Sequence, residues 1–207
     1  MKNFFLKGDA GRLEVWRHDP AGEPAGACLC LHPDPLHGGN LHNKVLYEAR
    51  KALVDAGRVC YSLNFRGVGL SEGEFDYGEG EKRDAAVLDA HVRAEHPALP
   101  VMLLGYSFGS WVGLRLAVER SFKRAYAVGL PVTVFDFFFL RGLSLPVTAF
   151  QGEFDELGRP DEVRRVFEGW YPALEVVAVP GADHFFRGVL SALGGAVAEA
   201  AAHSREK

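Results

Sequence analysis

The sequence predicts an α/β protein: a mostly parallel, doubly wound sheet with an N-terminal antiparallel hairpin and helices on both faces. Three observations carry that prediction. Six short, continuously apolar runs are bounded by Gly, Pro or charged residues, the pattern of strands buried on both faces. Segments with apolar residues at helical spacing lie between them, and this alternation implies right-handed crossovers. Ahead of both, two shorter runs flank Gly8-Asp9-Ala10-Gly11, the mark of a starting hairpin.

In chain order, Phe4 to Leu6 and Leu13 to Arg17 make the hairpin. The parallel strands are Ala27 to Leu31, Val59 to Leu63, Val101 to Leu104, Ala125 to Val128, Val147 to Phe150 and Val176 to Val179. Helical spacing marks Val45, Leu46, Ala49, Ala52 and Leu53, then Ala85, Val87, Leu88, His91 and Val92, and later Val163, Val166 and Phe167. In such sheets sites form at the carboxyl ends of strands. The tail from His203 to Lys207 is expected to fray.

At 207 residues the chain is expected to form one domain over 1–207, since a chain of this size hides roughly 70% of its unfolded surface. No repeat, low-complexity tract or long linker divides it. Its 48% hydrophobic and 24% charged residues are globular values, and a net charge of −4 leaves no basic stripe, so nucleic acid is not an expected partner. Residues Met1 to Lys7 lack a signal-peptide core, and no apolar run approaches the roughly 20 residues of a membrane helix. The expectation is a soluble cytoplasmic protein without a membrane partner. A homodimer through an edge strand or exposed helix is compatible with the pattern. Cys28, Cys30 and Cys60 fall in strands and read as buried thiols; Cys28-Leu29-Cys30 has no second pair to complete a tetrahedral site, so no metal and no other cofactor is expected.

Chemistry concentrates at Gly105-Tyr106-Ser107-Phe108-Gly109, between an apolar strand and the helical run that starts near Trp111. This is a nucleophile elbow: the turn is so tight that side chains at the flanking glycines would clash, and Ser107 is presented at the strand end. A serine hydroxyl needs an imidazole to take its proton and a carboxylate to hold that imidazole. Asp155 follows the strand Val147 to Phe150, and His184 follows Val176 to Val179, which brings both to the edge that carries Ser107. Glu153, Glu156 and Asp183 are decoys, with Asp183 expected to cap a helix beginning near Phe185.

An oxyanion needs backbone donors. Phe108 supplies one N–H; the second comes from the loop His32-Pro33-Asp34-Pro35-Leu36-His37-Gly38-Gly39, where Pro33 and Pro35 have none, leaving Asp34 or Leu36. The substrate pocket is expected to draw on His32, His37, Arg66, Tyr106 and Phe135, with His32 also shaping its loop by hydrogen bonding and Arg66 tying down the glycine-rich turn from Asn64 to Gly73. That turn lacks the endings of a phosphate-binding loop. Phe135, Phe137, Phe138 and Phe139 read as core packing or as an apolar wall for an acyl or alcohol group. His18, His91, His96 and His203 read as solvated surface.

Together, His32-Pro33 with Gly38-Gly39, Asn64-Phe65-Arg66-Gly67-x-Gly69, Gly105-Tyr106-Ser107-Phe108-Gly109, Gln151-Gly152-Glu153-x-Asp155-Glu156 and Gly181-Ala182-Asp183-His184-Phe185-Phe186 resemble the small lidless bacterial α/β-hydrolases, close in build to serine carboxylesterases and dienelactone hydrolases. The resemblance runs from about Phe4 to Ala200 and implies an α/β-hydrolase fold with Ser107 as nucleophile, His184 as base and Asp155 as acid. Position 107 is serine where dienelactone hydrolases carry cysteine. The stretch from Gly129 to Pro146 leaves no room for a sizeable lid, which favours small acyl groups. The expected function is a serine hydrolase acting on a small-molecule carboxylic ester through an acyl-enzyme. Thioesterase or peptidase activity on the same residues, and a non-catalytic binding module, are the alternatives. A dehalogenase or epoxide hydrolase would need aspartate at position 107.

Overall fold

The computed structural model describes residues 2–203. Lys2–Gly8 (β1) and Gly11–His18 (β2) form the hairpin, with Gly8 opposite Gly11. β2 also runs antiparallel to Arg58–Leu63 (β4). Gly26–Leu31 (β3), Val101–Tyr106 (β5), Ala125–Val128 (β6), Val147–Gly152 (β7) and Leu174–Val179 (β8) complete a sheet ordered β1-β2-β4-β3-β5-β6-β7-β8, parallel from β4 onward. From β3 the chain moves outward to β4 and returns to β5 on the other side. That reversal opens a crevice at the carboxyl ends of β3 and β5.

Successive strand residues face opposite ways, so each strand feeds two cores. Leu29, Leu31, Tyr61 and Leu103 face Glu79–Glu95 (α2), Phe108–Glu119 (α3) and Pro160–Phe167 (α4), meeting Leu88, Val112 and Val163. Cys28, Cys30, Cys60 and Leu104 face Lys44–Asp55 (α1) and Leu190–His203 (α5), meeting Leu46, Leu53 and Val197. Asn43 starts α1 by accepting from the N–H groups of Val45 (3.0 Å) and Leu46 (3.3 Å).

Every expected strand is present, extended by one or two residues at one or both ends in all but β6. The last helix differs: Asp183 does not cap it. Asp183 Oδ1 accepts from the N–H groups of Phe185 and Arg187, both at 3.1 Å, holding a turn in which Phe186 has φ +52°, and α5 starts later, at Leu190. His203 closes α5 instead of fraying; residues 204–207, the rest of that expected tail, and Met1 lie outside the described residues. His18 ends β2 and is half-buried; it is not a solvated turn residue. Between β6 and β7, residues 129–146 hold one turn of 3₁₀ helix, Phe138–Leu140, and among the described residues there is no lid.

Candidate active site

Ser107 sits between β5 and α3 with φ +53° and ψ −118°, a conformation that L-residues adopt only under constraint. The flanking glycines explain how it is held. A Cβ at Gly105 would lie 2.4 Å from the Ser110 Cα, and one at Gly109 would lie 2.2 Å from the Leu31 carbonyl oxygen. The Ser107 N–H donates to the Val128 carbonyl at 2.8 Å, anchoring the turn to β6.

Asp155 and His184 arrive on the loops after β7 and β8. Those loops are tied together: Phe154 N–H donates to the Ala182 carbonyl at 2.8 Å, and Glu153 accepts from Gly181 N–H at 2.8 Å. Gln151 holds the neighbouring loop, accepting from Leu130 N–H at 2.5 Å and donating to the Gly158 carbonyl at 2.6 Å. Neither role was anticipated, although a glutamine ending an otherwise apolar strand is a visible signal.

The three side chains meet. His184 Nδ1 lies 2.9 Å from both oxygens of Asp155, and His184 Nε2 lies 3.0 Å from Ser107 Oγ. Asp155 also accepts from Leu157 N–H at 2.9 Å and is fully buried, whereas Ser107 keeps 8% of its surface exposed. With the carboxylate accepting from Nδ1–H, Nε2 is left as the acceptor for the serine hydroxyl. Chemically, such a chain can take a proton from Oγ as it attacks an electrophile.

At the start of α3 the Phe108 N–H has no acceptor among the described residues, one of the open donors of a helix N-terminus. In the facing loop, Leu36 N–H donates to Asp34 Oδ1 at 2.8 Å. That bond corrects the Leu36 alternative: its N–H is already used in an Asx turn, and its side chain is exposed. The Asp34 N–H has no acceptor among the described residues.

Four of the five expected pocket residues have other work. His32 is fully buried. Its Nε2 accepts from Phe65 N–H at 3.1 Å, so Nδ1 carries the proton and donates to the Pro33 carbonyl at 2.7 Å. Burial holds the ring neutral, pushing its pKa down to about 4. It braces the loop, as expected, and does not line a pocket. His37 points to solvent, with Nδ1 3.0 Å from Asp34 Oδ2. Arg66 is buried in a fork on Asp84, Nε to Oδ2 at 3.1 Å and Nη2 to Oδ1 at 2.7 Å, with Asp9 as a further partner; this pairing raises its pKa and removes it from any substrate. Tyr106 faces the α1/α5 core and donates to the His184 carbonyl at 3.0 Å. Burial, then the Asp155 charge, raises the phenol's pKa and keeps it a donor. Phe135 remains beside the elbow, stacked on Trp111 at 4.5 Å and 6.0 Å from Phe108.

Residues 35–129 match a family model described as Hydrolase_4, serine aminopeptidase S33. The chain is 37% identical over 198 residues to an uncharacterized protein of Rickettsia prowazekii, covering 90% of this chain and 83% of that one. Among solved structures it is similar to an α/β serine hydrolase homologue from Coxiella burnetii, with 32% identity, TM-score 0.92 and 96% of each chain covered. A lidless α/β serine hydrolase from Xanthomonas campestris gives 31% identity and TM-score 0.92 over 98% of this chain and 94% of that one.

Proposed function

This chain belongs to the small lidless α/β serine hydrolases, and from that premise we propose that it hydrolyses small carboxylic esters through an acyl-enzyme formed on Ser107. The observation that carries the reading is the continuous chain Asp155–His184–Ser107, with contacts of 2.9 and 3.0 Å, behind a serine held at positive φ.

In the proposed cycle Ser107 Oγ attacks the ester carbonyl and gives its proton to His184 Nε2. Asp155 stays ionised, fixing the tautomer and stabilising the imidazolium. The N–H groups of Phe108 and Asp34 receive the oxyanion. His184 then protonates the departing alcohol, and water, deprotonated by the same ring, releases the acid. The uncovered crevice and the aromatic surface of Phe135 and Trp111 suit short or exposed acyl groups better than buried lipid chains. A cytoplasmic setting agrees with three free thiols, and among the described residues no helix is long and apolar enough to cross a membrane.

The test is a panel of nitrophenyl esters, thioesters and aminoacyl amides of increasing acyl length, run with the protein and with Ser107→Ala. The expected outcome is turnover greatest on short-chain esters and abolished by the substitution. Preference for acyl chains beyond about ten carbons, or for amides, would overturn the ester assignment.

A further inference from the structure

The face of the sheet covered by α1 and α5 carries a cluster that ester hydrolysis does not use. Cys28 and Cys30 are two apart on β3 and point the same way, and Cys60 on β4 is the register partner of Cys28. Their Sγ atoms all lie within 4.8 Å of one another, and all three residues are fully buried. Their own hydrogen bonds are long: to the carbonyls of Leu29, Cys28 and Arg58 at 3.6, 4.0 and 3.8 Å.

Beside them lies a buried cation. Arg50 of α1 is 6% exposed and donates through Nη1 to Ser62 Oγ at 2.9 Å and to the Leu41 carbonyl at 3.3 Å. Ser62 is the register partner of Cys30, so the guanidinium sits at that end of the cluster. Among the described residues no carboxylate pairs with Arg50, whose guanidinium lies 5.4 Å from the Tyr47 ring centroid, and a buried guanidinium without an anionic partner is costly. The Cys30 sulfur lies on the same face of the sheet, across the β3/β4 register from Ser62.

A fourth group faces the same side. His18 is the register partner of Cys60 on β2, and its Nε2 is buried with no hydrogen-bond partner. Apolar packing explains three buried thiols. It does not explain the orphaned imidazole nitrogen.

We propose that Cys28, Cys30 and Cys60 form a binding site for one soft divalent d¹⁰ cation of the zinc class, with His18 on the neighbouring strand facing the same side of the sheet. Three thiolates, one dication and the Arg50 guanidinium sum to zero charge, which is what a buried site requires. Zinc–sulfur bonds of about 2.3 Å place tetrahedral sulfurs about 3.8 Å apart, so a contraction of at most about 1 Å closes the site. Binding displaces the thiol protons to solvent, and no redox step is involved. Thiolate ligands select this class over magnesium or calcium.

The experiment uses the full chain, reduced and anaerobic, with Cd²⁺ as probe. Expected are one Cd²⁺ retained per chain, thiolate-to-cadmium absorption in the ultraviolet, and a thermal midpoint higher by roughly 5 °C at about 100-fold excess over Kd. Cys30→Ala and Cys60→Ala should each weaken binding at least about tenfold. Failure of the folded protein to retain Cd²⁺, or binding that appears only in denaturant, would overturn the proposal. Absorption that persists unchanged in a folded Cys60→Ala chain would do the same. Should either variant fail to fold, stoichiometry and absorption on the unsubstituted chain still decide.

Discussion

The phenolic hydroxyl of Tyr106 donates a 3.0 Å hydrogen bond to the main-chain carbonyl of His184, 78 positions further along the chain. The two rings also pack, with centroids 5.5 Å apart. The residue before the nucleophile therefore holds the loop that carries the imidazole, from the core side of the sheet. Tyr106 is fully buried in the α1/α5 core, where it holds the backbone of His184.

Tyr106→Phe keeps the ring and removes the donor. The expected result is a loss of about 1–2 kcal/mol in stability and a roughly tenfold lower kcat, with KM little changed. Steady-state kinetics on a short-chain ester with urea unfolding of both proteins checks this. A raised KM at unchanged kcat would return Tyr106 to the substrate pocket.

Arg66 gives a contrasting case. Its partner Asp84 is fully buried, so Arg66→Ala leaves a carboxylate without compensation and should cost about 3–5 kcal/mol of stability. Denaturant titration measures it. A loss under about 1 kcal/mol with a large rise in KM would mean that Arg66 serves substrate and not the fold.

His32 makes stability depend on pH. Its folded pKa of about 4 lies below the ordinary 6.5, so the unfolded chain takes up the proton first as pH falls. Its contribution is fully present above pH 6.5 and is lost progressively between 6.5 and 4, amounting to about 3 kcal/mol. His18 titrates in the same window but is only partly buried, so it adds less. His32→Asn should flatten unfolding free energy against pH across this range by up to about 1.4 kcal/mol per pH unit. Equal slopes in both proteins would contradict the buried neutral ring.

The strands and the elbow were legible because their signals are local. Apolar runs such as Val101 to Leu104, and glycines placed where no Cβ fits, are written in adjacent residues. The positions of Asp155 and His184 were legible for a related reason, as each follows directly on a strand of the same parallel sheet. Arg66, Tyr106 and His32 were misplaced because their roles rest on partners far along the chain. That Arg66 ties down its turn was legible, but its anchor, Asp84, is brought beside it only by α2, and Tyr106 looks like part of the mouth until β5's pleat turns it to the opposite core. Leu36 was excluded by an Asx turn whose side-chain acceptor sits two residues away. Cys60 joins Cys28 only through strand register, which no spacing within the sequence reveals.

Whether Ser107 is an activated nucleophile is tested by reaction of the purified protein with a fluorophosphonate probe, with the adduct located by peptide mass. One adduct is expected, on Ser107, at a rate lowered at least about 10³-fold in Asp155→Asn, where the imidazole loses its tautomer, and absent in Ser107→Ala. A folded protein that stays unlabelled, or that carries the adduct elsewhere, would contradict that expectation.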